Sequence, residues 1–214
     1  MSNHLIFFGD SICVGQWVGI DKIWVSKVAI SLASDYPFLD IQVHNRSING
    51  NTTRQALERM HFDCLSHFPQ TVVIQFGLND CHIWQTDMGH PRVSKAAYSA
   101  NIFEMIDRCR HHGVKNIILN SNHPTTRTHT VLPNSLETYE SRNIQYNEAV
   151  RLIGKNASDI HFFDVNKLFL ENVDKTDLKN YLLEDEIHLS EKGHEFYYVN
   201  FYKFLTQILE TQMK

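Results

Sequence analysis

Short apolar runs alternate with longer amphipathic stretches along this chain of 214 residues, and that alternation most constrains its fold. Five runs have the length and apolar character of buried strands. They cover residues 5–8, 41–44, 71–76, 114–120 and 160–165. Strands separated by helices are typical of a parallel sheet covered on both faces. The sequence therefore predicts an α/β protein, a three-layer α/β/α sandwich around a five-stranded parallel sheet in the flavodoxin-like order.

The predicted helices have recognisable ends. One spans roughly residues 17–34, and Thr52 and Thr53 are suited to cap a second helix that runs to about residue 67. Ser94 is suited to cap a third, which Gly113 would stop. A fourth is expected over about residues 136–154, and the last begins near Ser190.

Composition excludes several functions. The net charge is −4 and Lys and Arg are not clustered, so we expect no nucleic-acid partner. No apolar run is long enough to span a bilayer, and the first residues lack a signal-peptide pattern, which predicts a cytoplasmic protein. The length fits a single domain over residues 1–214. The cysteines and histidines show no zinc-binding spacing, and we expect neither a metal nor a cofactor.

The first candidate site residue follows the first strand. In open parallel sheets, ligands bind outside the carboxyl ends of the strands. Gly9-Asp10-Ser11 would hold the Ser11 hydroxyl at this edge, on a turn that leads to a helix. By itself the motif is weak, because Asp10 and Ser11 could simply satisfy nearby backbone amides at a strand exit.

Two further candidates follow the second and third strands. Gly50 permits close approach of the backbone and leaves its N–H facing the cleft, although a plain helix-entry turn is the alternative interpretation. Asn79, in Gly77-Leu78-Asn79-Asp80, carries an amide suited to donate to a developing oxyanion, although an Asx turn is the simpler interpretation.

The fourth segment lies just before the last predicted helix. Asp185 precedes His188 by three residues, a spacing that on a turn lets the carboxylate accept a hydrogen bond from the imidazole. The chain then contains a nucleophile, a base and an acid that orients the base.

These four segments resemble the sequence blocks of the SGNH, or GDSL-like, hydrolase family, in the same order and over nearly the whole chain. The departure is Ile12, which stands where the GDSL pattern has Leu, at an apolar packing position. The resemblance implies a catalytic triad of Ser11, His188 and Asp185. It also implies an oxyanion hole formed by the backbone N–H groups of Ser11 and Gly50 and the Asn79 side chain.

Further residues are expected near this edge. We predict that Asp10, Trp84 and His123 contribute to substrate binding, although loop packing explains the last two equally well. The aromatic-rich last helix is more typical of a cover for the core than of a lipid-binding face, although an exposed part of it would suit a homodimer.

The predicted function is hydrolysis of a small-molecule carboxylic ester. The polar segment over residues 120–127 and the lack of a long apolar lid favour a short, acetyl-like acyl group on a small polar or sugar alcohol. A thioesterase, a lysophospholipase or an acyltransferase would use the same triad. A catalytically silent binding module is an alternative of another class, but it would be expected to lose one of the site residues. A nucleotide-binding protein is disfavoured because no GxGxxG or GxxxxGK[ST] run is present.

Overall fold

Five parallel strands form one sheet in the order β2-β1-β3-β4-β5, which is the flavodoxin-like order. The protein is represented by a computed structural model that describes residues 3–212. The strands are β1 (Asn3–Gly9), β2 (Ile41–Asn45), β3 (Thr71–Gln75), β4 (Asn116–Asn120) and β5 (His161–Phe163). The predicted fold class is therefore confirmed.

The helices connect successive strands or follow them. They are α1 (Ser11–Val14), α2 (Trp24–Asp35), α3 (Thr53–Asp63), α4 (Leu78–Cys81), α5 (Lys95–His111), α6 (Tyr139–Asn156), α7 (Val165–Asn172) and α8 (Glu191–Gln212). None of the helices within residues 3–212 has both the length and the apolar character that a membrane crossing requires.

Neighbouring residues of β1 show how both faces of the sheet are covered. Successive side chains of a strand point to opposite faces. Phe7 packs edge-on against Trp24 of α2 and contacts Phe201 of α8, with ring centroids 5.1 and 5.9 Å apart. Phe8 packs against Phe76 on the other side, where Arg59 of α3 lies over its ring. The aromatic face of α8 thus covers the core, as predicted.

Local sequence signals set two of the helix starts. Thr52 is the N-cap of α3, and its backbone N–H donates to the Gln55 side chain at 2.9 Å. Ser94 caps α5 by accepting from the Ala97 amide at 3.3 Å. Both predicted caps are confirmed.

The helix predicted over residues 17–34 begins later than expected. Gly15 has a φ of +73°, and a Cβ there would lie 2.4 Å from the Ile23 side chain, so the chain must turn at a glycine. Trp17 also adopts a positive φ of 67°. Residues 15–23 therefore form a loop between α1 and α2, and a regular helix starts only at Trp24.

The region around β5 also differs from the prediction. The apolar pattern continues through Val165, but the Asp164 side chain accepts from the Lys167 amide and caps α7, which the sequence did not predict. The strand therefore ends at Phe163. The apolar residues alone are compatible with a longer strand, but the Asp164 cap starts a helix at Val165.

Candidate active site

The turn after β1 places Ser11 at the carboxyl edge of the sheet. Gly9 ends the strand in a crowded position, where a Cβ would lie 2.7 Å from Cys13 Sγ and 2.9 Å from the Gln75 carbonyl. Asp10 caps α1, because its Oδ1 accepts from the Ile12 amide at 3.0 Å. Ser11 is the first residue of α1, and its side chain lies beside the loop that precedes α8.

The loop before α8 brings a histidine and an aspartate to this serine. His188 Nε2 lies 2.8 Å from Ser11 Oγ, and His188 Nδ1 lies 2.5 Å from Asp185 Oδ2. The other carboxylate oxygen, Oδ1, accepts from the backbone amides of Ile187 and His188 at 3.1 and 3.0 Å. A carboxylate only accepts, so Nδ1 carries the proton and Nε2 is free to accept from the serine.

The electrostatics of Asp185 favour its ionised form. Partial burial would raise its pKa, but the hydrogen bonds from the His188 ring and from the amides of His188 and Ile187 together hold that pKa below its usual value. The carboxylate therefore stays charged near neutral pH, which suits it to stabilise an imidazolium.

Side chains from the segment after β4 fix the backbone of this loop. His123 Nε2 donates to the Ile187 carbonyl at 2.7 Å, and Arg127 Nε donates to the Asp185 carbonyl at 3.0 Å. His123 is fully buried, and burial lowers its pKa to about 4, so its ring is neutral at neutral pH. The loop that carries His188 is thus held by side chains of the segment after β4 as well as by hydrogen bonds within the loop.

The two predicted oxyanion donors other than Ser11 are tied to one arginine. Gly50 adopts a φ of +74° at an exposed turn. Arg92 Nη1 donates to the Gly50 carbonyl at 3.0 Å and to Asn79 Oδ1 at 3.4 Å. Since a guanidinium only donates, Asn79 turns its Nδ2 away from Arg92, toward Asp10 Oδ2 at 3.4 Å.

A small cavity opens beside Ser11 and His188. Its volume is about 110 Å³, and Leu78 and Ile187 contribute its apolar surface. Drug-sized ligands occupy pockets of roughly 300–1,000 Å³. The cavity therefore suits a small chemical group.

Polar groups also line this cavity. They come from Asn79, His82, Arg127 and Tyr139. The Tyr139 hydroxyl is already used, because it donates to the Leu78 carbonyl at 2.6 Å. Within residues 3–212, no group of three or more His, Cys, Asp or Glu side chains is arranged to hold a metal ion.

The three residues predicted to bind substrate are not placed together on the cavity surface. Asp10 is fully buried beneath Asn79, and burial raises its pKa to about 7. His123 is fully buried as well, behind the loop that carries His188. Trp84 is 50% exposed, but it lies at a neighbouring pocket, where Arg92 stacks on its ring at 4.2 Å.

Sequence reasoning assigned no role to several residues of the site. Arg92 and Tyr139 come from segments without a recognisable motif, and Arg127 belongs to the polar segment over residues 120–127. Trp17 packs edge-on against His188 at 4.9 Å between ring centroids. No local pattern marks these residues, since only the chain's folding brings them beside Ser11.

Comparison with known proteins assigns the general class of this protein, which is a carboxylic-ester hydrolase. More specifically, the chain belongs to the GDSL-like lipase/acylhydrolase family, whose model matches residues 7–196.

Individual relatives agree with this assignment. The chain is 29% identical over 211 residues to the acetylxylan esterase of Geobacillus stearothermophilus, covering 89% of this chain and 88% of that protein. The crystal structure of an acetylxylan esterase from the same organism superposes with a TM-score of 0.73 at 25% identity, covering 94% of this chain and 93% of the other. Alanine variants of its serine, aspartate and histidine are described as catalytic mutants, and that aspartate and histidine are three positions apart.

A third relative matches a shorter part of the chain. It is the lipoprotein YqeF of Bacillus subtilis, described as uncharacterized, which is 36% identical over 80 residues. The match spans 37% of this chain and 32% of the lipoprotein. Because this relative is a lipoprotein, the predicted cytoplasmic location stays a prediction. The single domain over residues 1–214 also stays a prediction.

Proposed function

We propose that this protein is a serine esterase that removes a short, acetyl-like acyl group from a small polar or sugar alcohol. The observation that carries the proposal is the continuous hydrogen-bonded chain from Ser11 Oγ through His188 to Asp185, with distances of 2.8 and 2.5 Å. Such a chain activates a serine that would otherwise be a weak nucleophile.

In the first half of the reaction, Ser11 Oγ attacks the acyl carbonyl while its proton passes to His188 Nε2. The imidazolium that results is stabilised by Asp185 through the Nδ1 hydrogen bond. When the tetrahedral intermediate collapses, the bond to the alcohol oxygen breaks and His188 returns the proton to that leaving group. The acyl group then remains on Ser11 as an ester.

In the second half, water takes the place of the alcohol. His188 accepts a proton from the water as it attacks the acyl-enzyme, and the second tetrahedral intermediate releases the free acid and restores the Ser11 hydroxyl. In both intermediates the negative oxygen would be held by the amides of Ser11 and Gly50 and by the Asn79 side chain.

Two further observations support the acyl and alcohol classes. The cavity of about 110 Å³ suits a short acyl group better than a long chain. The acetylxylan esterase relative acts, by its description, on an acetylated carbohydrate, and its aspartate and histidine have the spacing of Asp185 and His188 here.

Covalent labelling tests the proposal. A fluorophosphonate or sulfonyl fluoride should react with one serine, and mass spectrometry should locate the adduct on Ser11, because only a base-activated serine attacks such reagents rapidly. Ser11→Ala should abolish both labelling and hydrolysis of p-nitrophenyl acetate. The matched control is Ser66→Ala, at an exposed serine that donates to the Phe62 carbonyl, and it should retain both. An adduct on another residue of an active preparation would refute the assignment.

A further inference from the structure

The cavity beside Ser11 contains a guanidinium that has no carboxylate partner among residues 3–212. Arg127 lines this cavity together with His82, and no Asp or Glu side chain lines it. Within the described chain, the Arg127 guanidinium donates through Nε alone, to the Asp185 carbonyl at 3.0 Å. The two Nη groups are therefore the donors left for a molecule in the cavity.

Two other partly buried arginines of this protein are paired with acids. Arg59 lies 3.0 Å from Asp63, and Arg151 lies 2.7 Å from Asp164. A charged group withdrawn from water is costly unless an opposite charge or hydrogen bonds compensate it. Arg127, in contrast, meets a backbone carbonyl and the ring of Tyr139, whose centroid is 5.8 Å from the guanidinium carbon.

The surroundings of Arg127 also favour a negative group. Burial lowers the pKa of His82, and the positive charges of Arg127 and Arg92 lower it further against the opposing charge of Asp87, so both guanidinium groups lie near this side of the cavity. His82 Nδ1 is itself buried without a hydrogen-bond partner in the described chain.

The position of Arg127 indicates which part of a substrate it meets. Its Nε donates to the carbonyl of Asp185, the residue that orients His188. The Arg127 side chain is partly exposed, whereas Leu78 and Tyr139 of the same cavity are buried. With a short acyl group in the buried part of the cavity, the alcohol part of the substrate extends toward the partly exposed side, where Arg127 lies.

We propose that Arg127 binds a carboxylate on the alcohol part of the substrate, so that the preferred substrates are short acyl esters of acidic alcohols. A guanidinium edge offers two parallel N–H groups that match the two oxygens of a carboxylate. This inference rests on the proposed esterase function and specifies the substrate class of that same site.

A pair of substrates that differ in charge tests the inference. Wild-type enzyme is assayed with 3-acetoxybenzoate, which is anionic, and with its neutral methyl ester. We expect kcat/KM to favour the anionic ester by about tenfold or more, as for a hydrogen-bonded charge pair, and to lose part of that preference as salt is added. Equal or faster hydrolysis of the neutral ester would overturn the inference and leave the esterase function standing. Hydrolysis of neither ester, with no labelling of Ser11, would overturn both.

Variants of Arg127 separate binding of the carboxylate from support of Asp185. Arg127→Gln should lower the ratio of the two kcat/KM values to about one, and Arg127→Lys, which keeps the charge without the planar fork, should retain an intermediate ratio. Arg110→Gln, which removes the same charge at the end of α5, should keep the wild-type ratio. If Arg127→Gln slowed both esters by the same factor, Arg127 would act only through Asp185, and the inference would be wrong.

A measurement on wild-type enzyme alone keeps the inference testable if the variants do not fold. Benzoate should inhibit hydrolysis of the methyl ester competitively, and uncharged benzamide should inhibit about tenfold more weakly or less still. Equal inhibition by the two would contradict a carboxylate site at Arg127.

Discussion

The Asn79 side chain lies between a buried acid and a guanidinium, with its Nδ2 3.4 Å from Asp10 Oδ2 and its Oδ1 3.4 Å from Arg92 Nη1. Both contacts are long for hydrogen bonds, so they orient the amide without engaging it fully. An amide held in this way remains available to a stronger acceptor. The geometry fits a donor that finds its best partner only when an oxyanion forms.

Asn79→Ala is expected to lower kcat by roughly a hundredfold, about 3 kcal/mol, with little change in KM, since a single oxyanion donor acts mainly in the transition state. Steady-state kinetics with p-nitrophenyl acetate measures this. The control is Asn172→Ala, which removes an exposed amide at the end of α7 that donates to the Leu168 carbonyl. A destabilised Asn79→Ala enzyme with wild-type kcat would show that Asn79 only ties its own loop.

Asp185→Asn should fold with a similar thermal midpoint but hydrolyse p-nitrophenyl acetate far more slowly. The asparagine amide can donate to His188 Nδ1 and so favour the wrong tautomer, and the loss in kcat could approach ~10⁴ as in serine proteases. Glu184→Gln, at an exposed carboxylate one residue earlier, is the control and should stay active. Full activity of Asp185→Asn would mean that another group orients His188.

Acyl chain length should decide the rate. Because the cavity beside Ser11 is only about 110 Å³, p-nitrophenyl acetate should have a higher kcat/KM than p-nitrophenyl octanoate. The leaving group is the same in both, so the ratio reports the acyl site alone. A preference for the octanoyl ester would favour the lysophospholipase or thioesterase alternative over a short-chain esterase.

Asp10 is expected to make the stability of the protein depend on pH. Burial raises its pKa to about 7 from an ordinary 3.8, so the folded state holds this proton more tightly than the unfolded chain. The free energy of unfolding should therefore fall as the pH rises from about 4 to about 7, and the loss should be complete above that range.

Asp10→Asn removes the ionisation and should be more stable than the wild type above pH 7, by up to about 4 kcal/mol. Urea unfolding at pH 5 and pH 8 measures the difference, and Asp174→Asn, at an exposed position, serves as the control. If Asp10→Asn were destabilised equally at both pH values, the carboxyl group would matter for its bond to the Ile12 amide rather than for its charge.

Local sequence signals were sufficient for the layer architecture and for the residues expected to react. Strand runs such as that of β3, the caps at Thr52 and Ser94, and the spacing of Asp185 and His188 are all encoded within a few neighbouring residues. A strand that is buried on both faces must be apolar throughout, and a cap must carry a side-chain acceptor. Such requirements can be recognised one segment at a time.

The structure alone decided where regular helix begins after Ser11, and which other side chains reach the cavity. The turn at Gly15 depends on Ile23, which packs against it, and no short-range pattern encodes that contact. Arg127 meets Asp185 from 58 residues away, and His123 meets Ile187 from 64 residues away. Only the parallel order of the strands brings such distant residues to one edge of the sheet. At that edge His123 is buried and supports the loop that carries His188, whereas Arg127 lines the cavity. The sequence does not encode this difference locally, because the exposure of a side chain depends on all the residues packed around it.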